Sequence, residues 1–195
     1  MKHAAMTPTA LIVTLQMDPR AATRFTRLRQ AHFPPERNWL DAHVTLFHAL
    51  PLEAADEVLR DCAEVAADTA AFALRVERVH FLGFGVAFAL GSEPALLLRQ
   101  SLARRWAPLL GRQDQGWRGP LHVTVQNKVD PAVARRLQAE LESGFEPHDI
   151  GAVGLQVWHY VGGPWRPVAT FPFTAGPAPL ADADGYTGLR CGGTH

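Results

Sequence analysis

A chain of 195 residues, 47% of them hydrophobic and with a formal net charge of zero, has the composition of a globular protein with one substantial core. It excludes a disordered chain and a protein that coats nucleic acid through bulk charge, so any phosphate binding must be local. Two cysteines, Cys62 and Cys191, without zinc-type spacing, and no apolar stretch of signal-peptide or membrane-spanning length predict a soluble, cytoplasmic protein.

In chain order, Ala10 to Met17 reads as a buried strand, and Asp18-Pro19 then opens a helix to about Phe33, with proline in the first turn where its missing N–H costs nothing. Pro34-Pro35 ends it, and a loop through Trp39 leads to an apolar strand from about Ala42 to Leu50. Pro51 begins an amphipathic helix to roughly Thr69. Phe72 to Leu82 and Val86 to Leu90 read as strands joined by a turn at Gly83-Phe84-Gly85. The order then recurs: a helix from Pro94 to about Leu110, a Gly-rich loop, a strand from Leu121 to Val129, a helix from Pro131 to about Ser143, and strands near Ile150 to Val161 and Val168 to Phe173.

Corresponding elements of the two halves are offset by nearly one interval, which points to an internal duplication with halves of about 19–91 and 94–173. The expected unit is a single bilobal domain over 1–173, with 174–195 a flexible tail rich in Gly, Pro and Ala. The fold class is α+β: two pseudo-symmetric lobes of antiparallel sheet, helices packed outside, and a cleft between them. A monomer is expected. Arginines cluster at Arg20, Arg24, Arg27 and Arg29 and again from Arg99 to Arg118; most of these are read as solvated helix faces, and the second cluster could form a basic rim steering an anion.

Within this repeat lies a second one. His43-Val44-Thr45-Leu46 has a near copy in His122-Val123-Thr124-Val125, each in a strand. Residues two apart on a strand share a face, so each copy presents an imidazole beside a hydroxyl while its apolar neighbours face the core. Two histidines that titrate near neutrality can divide the roles of general acid and general base, which suits phosphoryl transfer without a metal: one takes a proton from the attacking oxygen, the other gives one to the leaving oxygen. Thr45 and Thr124 would aim hydroxyls at the non-bridging oxygens.

These paired motifs resemble those of the 2H phosphoesterase superfamily, which includes bacterial 2′-5′ RNA ligases and 2′,3′-cyclic nucleotide phosphodiesterases; the likeness spans about Leu11 to Phe173. It implies His43 and His122 as catalytic residues, Thr45 and Thr124 as substrate-binding, no cofactor and no metal, and as partner a nucleotide or RNA terminus carrying a 2′,3′-cyclic phosphate or a 2′-5′ linkage. The segment Phe33 to Trp39 is similar to the loop before the first motif in the RNA ligase branch. Where many members of that branch have a Phe-Leu-Gly run after the first motif and an arginine after the second, this chain has Phe47-His48-Ala49-Leu50 and Gln126-Asn127-Lys128.

By strand alternation Phe47 joins His43 and Thr45 on the cleft face, as a ring that could stack on a base or pack within its lobe, and Lys128 joins His122 and Thr124, either as a phosphate-binding charge or as a solvated strand-end lysine. The same alternation sends His48 to the opposite face from His43, which argues against a shared metal ion. Trp158, His159, Tyr160 and Trp165 are read either as ordinary buried strand aromatics or as a nucleotide-binding wall. The expected function is that of a phosphodiesterase with a possible reverse, ligating, direction. The alternatives are a non-catalytic module that binds RNA ends in the same cleft, and a metal-dependent hydrolase.

Overall fold

The computed structural model describes residues 7–176. The tail expected over 174–195 therefore lies largely outside the described residues, as does Cys191. Among the described residues no helix is long and apolar enough to cross a membrane.

The first strand, β1 (Ala10–Met17), is buried along nearly its whole length because it lies between two other strands. Helix α1 (Pro19–His32) starts where Asp18 accepts a hydrogen bond from the Ala21 N–H (2.8 Å), a side-chain cap with proline at the first turn. After a short 3₁₀ turn over Pro35–Arg37 comes β2 (Val44–Leu50), then a second 3₁₀ turn and α2 (Ala55–Ala67). Strands β3 (Phe72–Phe81) and β4 (Val86–Gly91) form the expected hairpin, with Gly83 at φ +85° in its turn. Helix α3 (Glu93–Arg105) is capped by Ser92, and a four-residue helix α4 (Arg112–Gln115) stands where the sequence reads only as a loop. Strand β5 (Leu121–Gln126), helix α5 (Pro131–Ser143, capped by Asp130), and strands β6 (His148–Tyr160) and β7 (Trp165–Pro172) complete the chain.

The sheet runs β1-β2-β5-β4-β3-β6-β7, and β1 also pairs with β6, so six strands close into a barrel-like ring with β7 added outside it. Every pairing is antiparallel. One edge of β6 serves β1; the other serves β3 with its first residues and β7 with its last. The neighbour list of the six ring strands, β7 left aside, maps onto itself when β1 is exchanged with β4, β2 with β5 and β3 with β6. The lobes meet at two seams: β3–β6, with five ladder pairs, and β2–β5, which rests on one, Val44 with Val123.

Helices pack on the face of the sheet that carries Val44, Val123 and Phe88. Phe25 of α1 meets Phe88 at 5.3 Å between ring centroids, and Trp106, just past α3, meets Phe47 edge-on at 4.9 Å. The fold is thus α+β with helices outside an antiparallel sheet.

Two expectations about strand phase are corrected by irregularities in the ladder. In β2 the register against β1 slips twice, so Leu46 and Phe47, adjacent in sequence, both lie in the core. Strand β5 ends at Gln126 rather than near Val129: Lys128 sits in the following turn at φ +65°, its N–H bonded to the Asn127 side chain.

Candidate active site

Antiparallel pairing of Val44 with Val123 sets His43 opposite Thr124 and Thr45 opposite His122. Both valines are fully buried on the helix side, so these four half-buried side chains share the other face. The histidines are diagonal partners, which ladder geometry separates by about 7–8 Å at the backbone end.

Both imidazoles are oriented in the same way. His43 Nδ1 lies 2.8 Å from the Asp41 carbonyl oxygen and His122 Nδ1 lies 3.1 Å from the Pro120 carbonyl oxygen, each two residues back. A carbonyl can only accept, so Nδ1 carries the hydrogen and Nε2 keeps its lone pair for chemistry. The His43 ring packs against Trp165 at 4.5 Å between centroids. Burial, joined by the nearby positive charge of Arg29 and the neighbouring His122 and His48, pushes its pKa from 6.5 down to about 4, against a smaller opposing effect of the Asp41 hydrogen bond. His43 is therefore neutral at pH 7.

Two buried arginines hold the motif strands from behind. Arg29 of α1 donates through Nη1 to the Thr124 carbonyl (3.0 Å) and through Nε to the Leu40 carbonyl and the Asn38 side chain (both 2.9 Å). Arg99 of α3 donates through Nε to the Leu46 carbonyl (3.0 Å) and through Nη2 to the Asp114 carbonyl (3.1 Å). Each helix thus reaches the motif strand that the other half supplies. Burial lowers both guanidinium pKa values, that of Arg29 to about 10, while Asp41 and Asp114 respectively oppose the fall.

The cleft face continues along rows of cross-strand partners. Thr124 faces Ala87, which faces His80; His122 faces Ala89, which faces Arg78. His80 and Arg78 of β3 therefore share the face of the motif residues, with alanines between. Burial, Arg78 and His122 all lower the His80 pKa. Arg78 went unnoticed in the sequence, because nothing local ties β3 to the second motif. On the other side Thr14 of β1 pairs with Thr45, and its hydroxyl accepts from Trp158 Nε1 (3.0 Å).

Of the six residues nominated from sequence, His43, Thr45, His122 and Thr124 come together, and two do not join them. Phe47 is 0% exposed and sits under the Arg99 guanidinium, 4.9 Å above its ring, so no base can stack on it. Lys128 is exposed in the turn beyond the end of β5, off the strand that carries the motif. His48, beyond the same irregularity, is tied to the buried Asp114 of α4. Its ring Nδ1 bonds Asp114 Oδ1 (2.9 Å), and its N–H and that of Ala49 bond Asp114 Oδ2 (2.9 and 3.3 Å). Among the described residues no group of three or more His, Cys, Asp and Glu is placed to hold a metal ion.

Beside His43, at the end of the sheet where β1 stops and β2 starts, is a cavity of about 630 Å³. Trp39, Trp158 and Trp165 form aromatic walls, Gln16 and Gln156 supply amides, and Thr26 and Arg27 of α1 close the far side. Trp158 and Trp165 thus belong to this wall, and Trp39, 56% exposed, completes it from the loop before the first motif.

The profile of the 2′-5′ RNA ligase superfamily matches residues 17–164, which contain both motifs. No curated protein sequence matches this one. Solved structures that resemble it include TT0787 of Thermus thermophilus, with TM-score 0.59 and 14% identity over 84% of this chain and 97% of that one. E. coli LigT is also similar, seen in a complex with 3′-AMP at TM-score 0.55 and 17% identity, and in a complex with NADP+ at 0.54 and 15%; both cover 86% of this chain and 99% of LigT.

Proposed function

Given that the chain belongs to the 2′-5′ RNA ligase superfamily of 2H phosphoesterases, we propose that it is a metal-independent phosphodiesterase that opens 2′,3′-cyclic phosphates, or cleaves 2′-5′ linkages, at nucleotide or RNA termini, with 2′-5′ ligation resulting when a 5′-hydroxyl attacks the cyclic phosphate in place of water. The observation that carries this reading is the common face of His43, Thr45, His122 and Thr124, with both Nδ1 atoms tied to carbonyls two residues back.

His43, neutral in the free protein, suits the role of base. Its Nε2 accepts a proton from water as the water oxygen attacks phosphorus. The bond from phosphorus to one ribose oxygen breaks in line, and that oxygen takes a proton from His122 in its protonated form. The product is a phosphomonoester beside a free hydroxyl, and the two histidines have exchanged protonation states. Thr45 and Thr124 donate hydrogen bonds to the non-bridging oxygens as charge builds there, Arg78 gives that face positive charge in place of Lys128, and His80, whose pKa is lowered, adds a neutral imidazole. The aromatic cavity beside His43 has the size and lining of a nucleoside site, and LigT itself binds 3′-AMP.

The test is incubation with a panel of 2′,3′-cyclic nucleotides and 2′-5′ dinucleotides, identifying the bond that breaks. His43→Ala and His122→Ala should each lower turnover by roughly 10²–10⁴-fold, with wild-type activity unchanged by a chelator. Full activity in either variant would overturn the mechanism. Tight binding of a 3′-phosphorylated oligonucleotide without turnover of any of these substrates would replace it with the end-binding reading.

A further inference from the structure

Helix α1 separates two concavities. On one side is the aromatic cavity beside His43; on the other, a groove of about 860 Å³ lies between α1 and α5, lined by Arg20, Arg24, Arg27, Phe88 and Phe145, with Glu140 on the α5 wall. Thr23 and Arg27 line both, so the crest of the helix is continuous with each. Arg20, Arg24 and Arg27 recur at helical spacing on the exposed face, a run of about 10 Å along the axis. Among the described residues none of the three has a carboxylate within salt-bridge distance. Arg24 is nevertheless held in place, since its Nη1 donates to His148 Nε2 (3.0 Å) while His148 Nδ1 bonds the Glu146 carbonyl. Three unneutralised guanidiniums leading from the reaction site across a helix crest make a surface for successive phosphates, where a mononucleotide would have nothing to contact.

We propose that α1 is the backbone track for a single-stranded RNA, whose terminal nucleoside occupies the cavity beside His43 and whose preceding phosphates pass over Arg27 to Arg24 and Arg20. The protein then acts on the ends of RNA chains in preference to free cyclic nucleotides. The chemistry at that end rests on the phosphodiesterase reading above; the track does not.

The experiment compares wild type with Arg20→Gln/Arg24→Gln on two substrates, a 2′,3′-cyclic mononucleotide and a ten-nucleotide oligoribonucleotide with the same cyclic terminus. Mononucleotide turnover should be unchanged. For the oligomer, losing two phosphate contacts should lower kcat/KM roughly 25-fold at 0.1 M salt and flatten its logarithmic salt dependence by about 1.4 in slope. Arg20→Lys/Arg24→Lys, which keeps the charge, should recover most of the loss. Fluorescence anisotropy with a 3′-phosphorylated oligoribonucleotide reads the same contacts without catalysis, so the track remains testable if no cyclic substrate is turned over. Equal behaviour of wild type and the Gln variant toward the oligomer, or equal losses on both substrates, would overturn the proposal.

Discussion

The strongest physical consequence of the site is a pH-dependent cost of keeping His43 neutral. Its pKa is about 4 in the folded chain against 6.5 for an ordinary imidazole, a difference of about 2.5. Between these values the unfolded chain binds a proton that the folded chain refuses, so stability is lost as pH falls from 6.5 toward 4 and is present above 6.5. At 1.36 kcal/mol for each unit the limit is about 3.4 kcal/mol, and solvent at the open edge of the ring leaves about 2–3 kcal/mol. Replacing His43 with Asn removes the titrating group. The assay is urea unfolding at intervals from pH 4 to 7.5. With a slope of about 2 kcal/mol per molar urea, the wild-type midpoint should fall over this window by roughly 1–1.5 M more than that of His43→Asn. The comparison of slopes isolates His43, because His80 and Asp114 titrate in both proteins. Parallel curves for the two proteins would refute the reasoning, and with it the assignment of His43 as a neutral base.

Two further outcomes test how the motif strand is supported. Phe47→Ala should cost about 3–5 kcal/mol of stability by thermal unfolding while leaving KM of the folded protein unchanged, since the ring fills core space against Trp106; a raised KM with intact stability would return Phe47 to the cleft. Asp114→Ala should cost a similar amount, about 3–5 kcal/mol, because it strips the buried Arg99 of its carboxylate and leaves the His48 and Ala49 N–H groups without acceptors. Burial alone would raise the Asp114 pKa, but the bonds from His48 and Ala49 outweigh it and bring it below the usual value; wild-type stability in the Ala variant would show those bonds to be idle.

Much of the molecule was legible in one dimension because the signals are local. The α1 and α5 starts follow from Asp-Pro pairs whose carboxylates cap their own helices, and α5 runs between the residues that periodicity indicates. The recurrence of His-Val-Thr needs only alternation over three residues, too short a stretch for an irregularity to disturb, and those four side chains do share a face. Phe47 lies one irregularity further along the same strand, and there the counting of alternate residues fails: the slip in pairing depends on β1, a neighbour that the motif itself does not specify. Lys128 fails in the same way, because β5 ends where the chain turns to meet the β3–β4 hairpin, with the Val129 N–H bonded to the Phe84 carbonyl.

What the sequence determined by itself was therefore the chemistry of the site: two imidazoles, two hydroxyls and the strands that bear them. Tertiary structure decided what surrounds it. The pairing of Val44 with Val123 makes two motifs one site, strand β3 brings Arg78 and His80 to its floor, and α1 and α3 supply the arginines that brace each motif strand from the other half. Side-chain type and alternation are properties of a few consecutive residues, whereas adjacency, register and the capping of distant carbonyls depend on how the whole ring of strands closes.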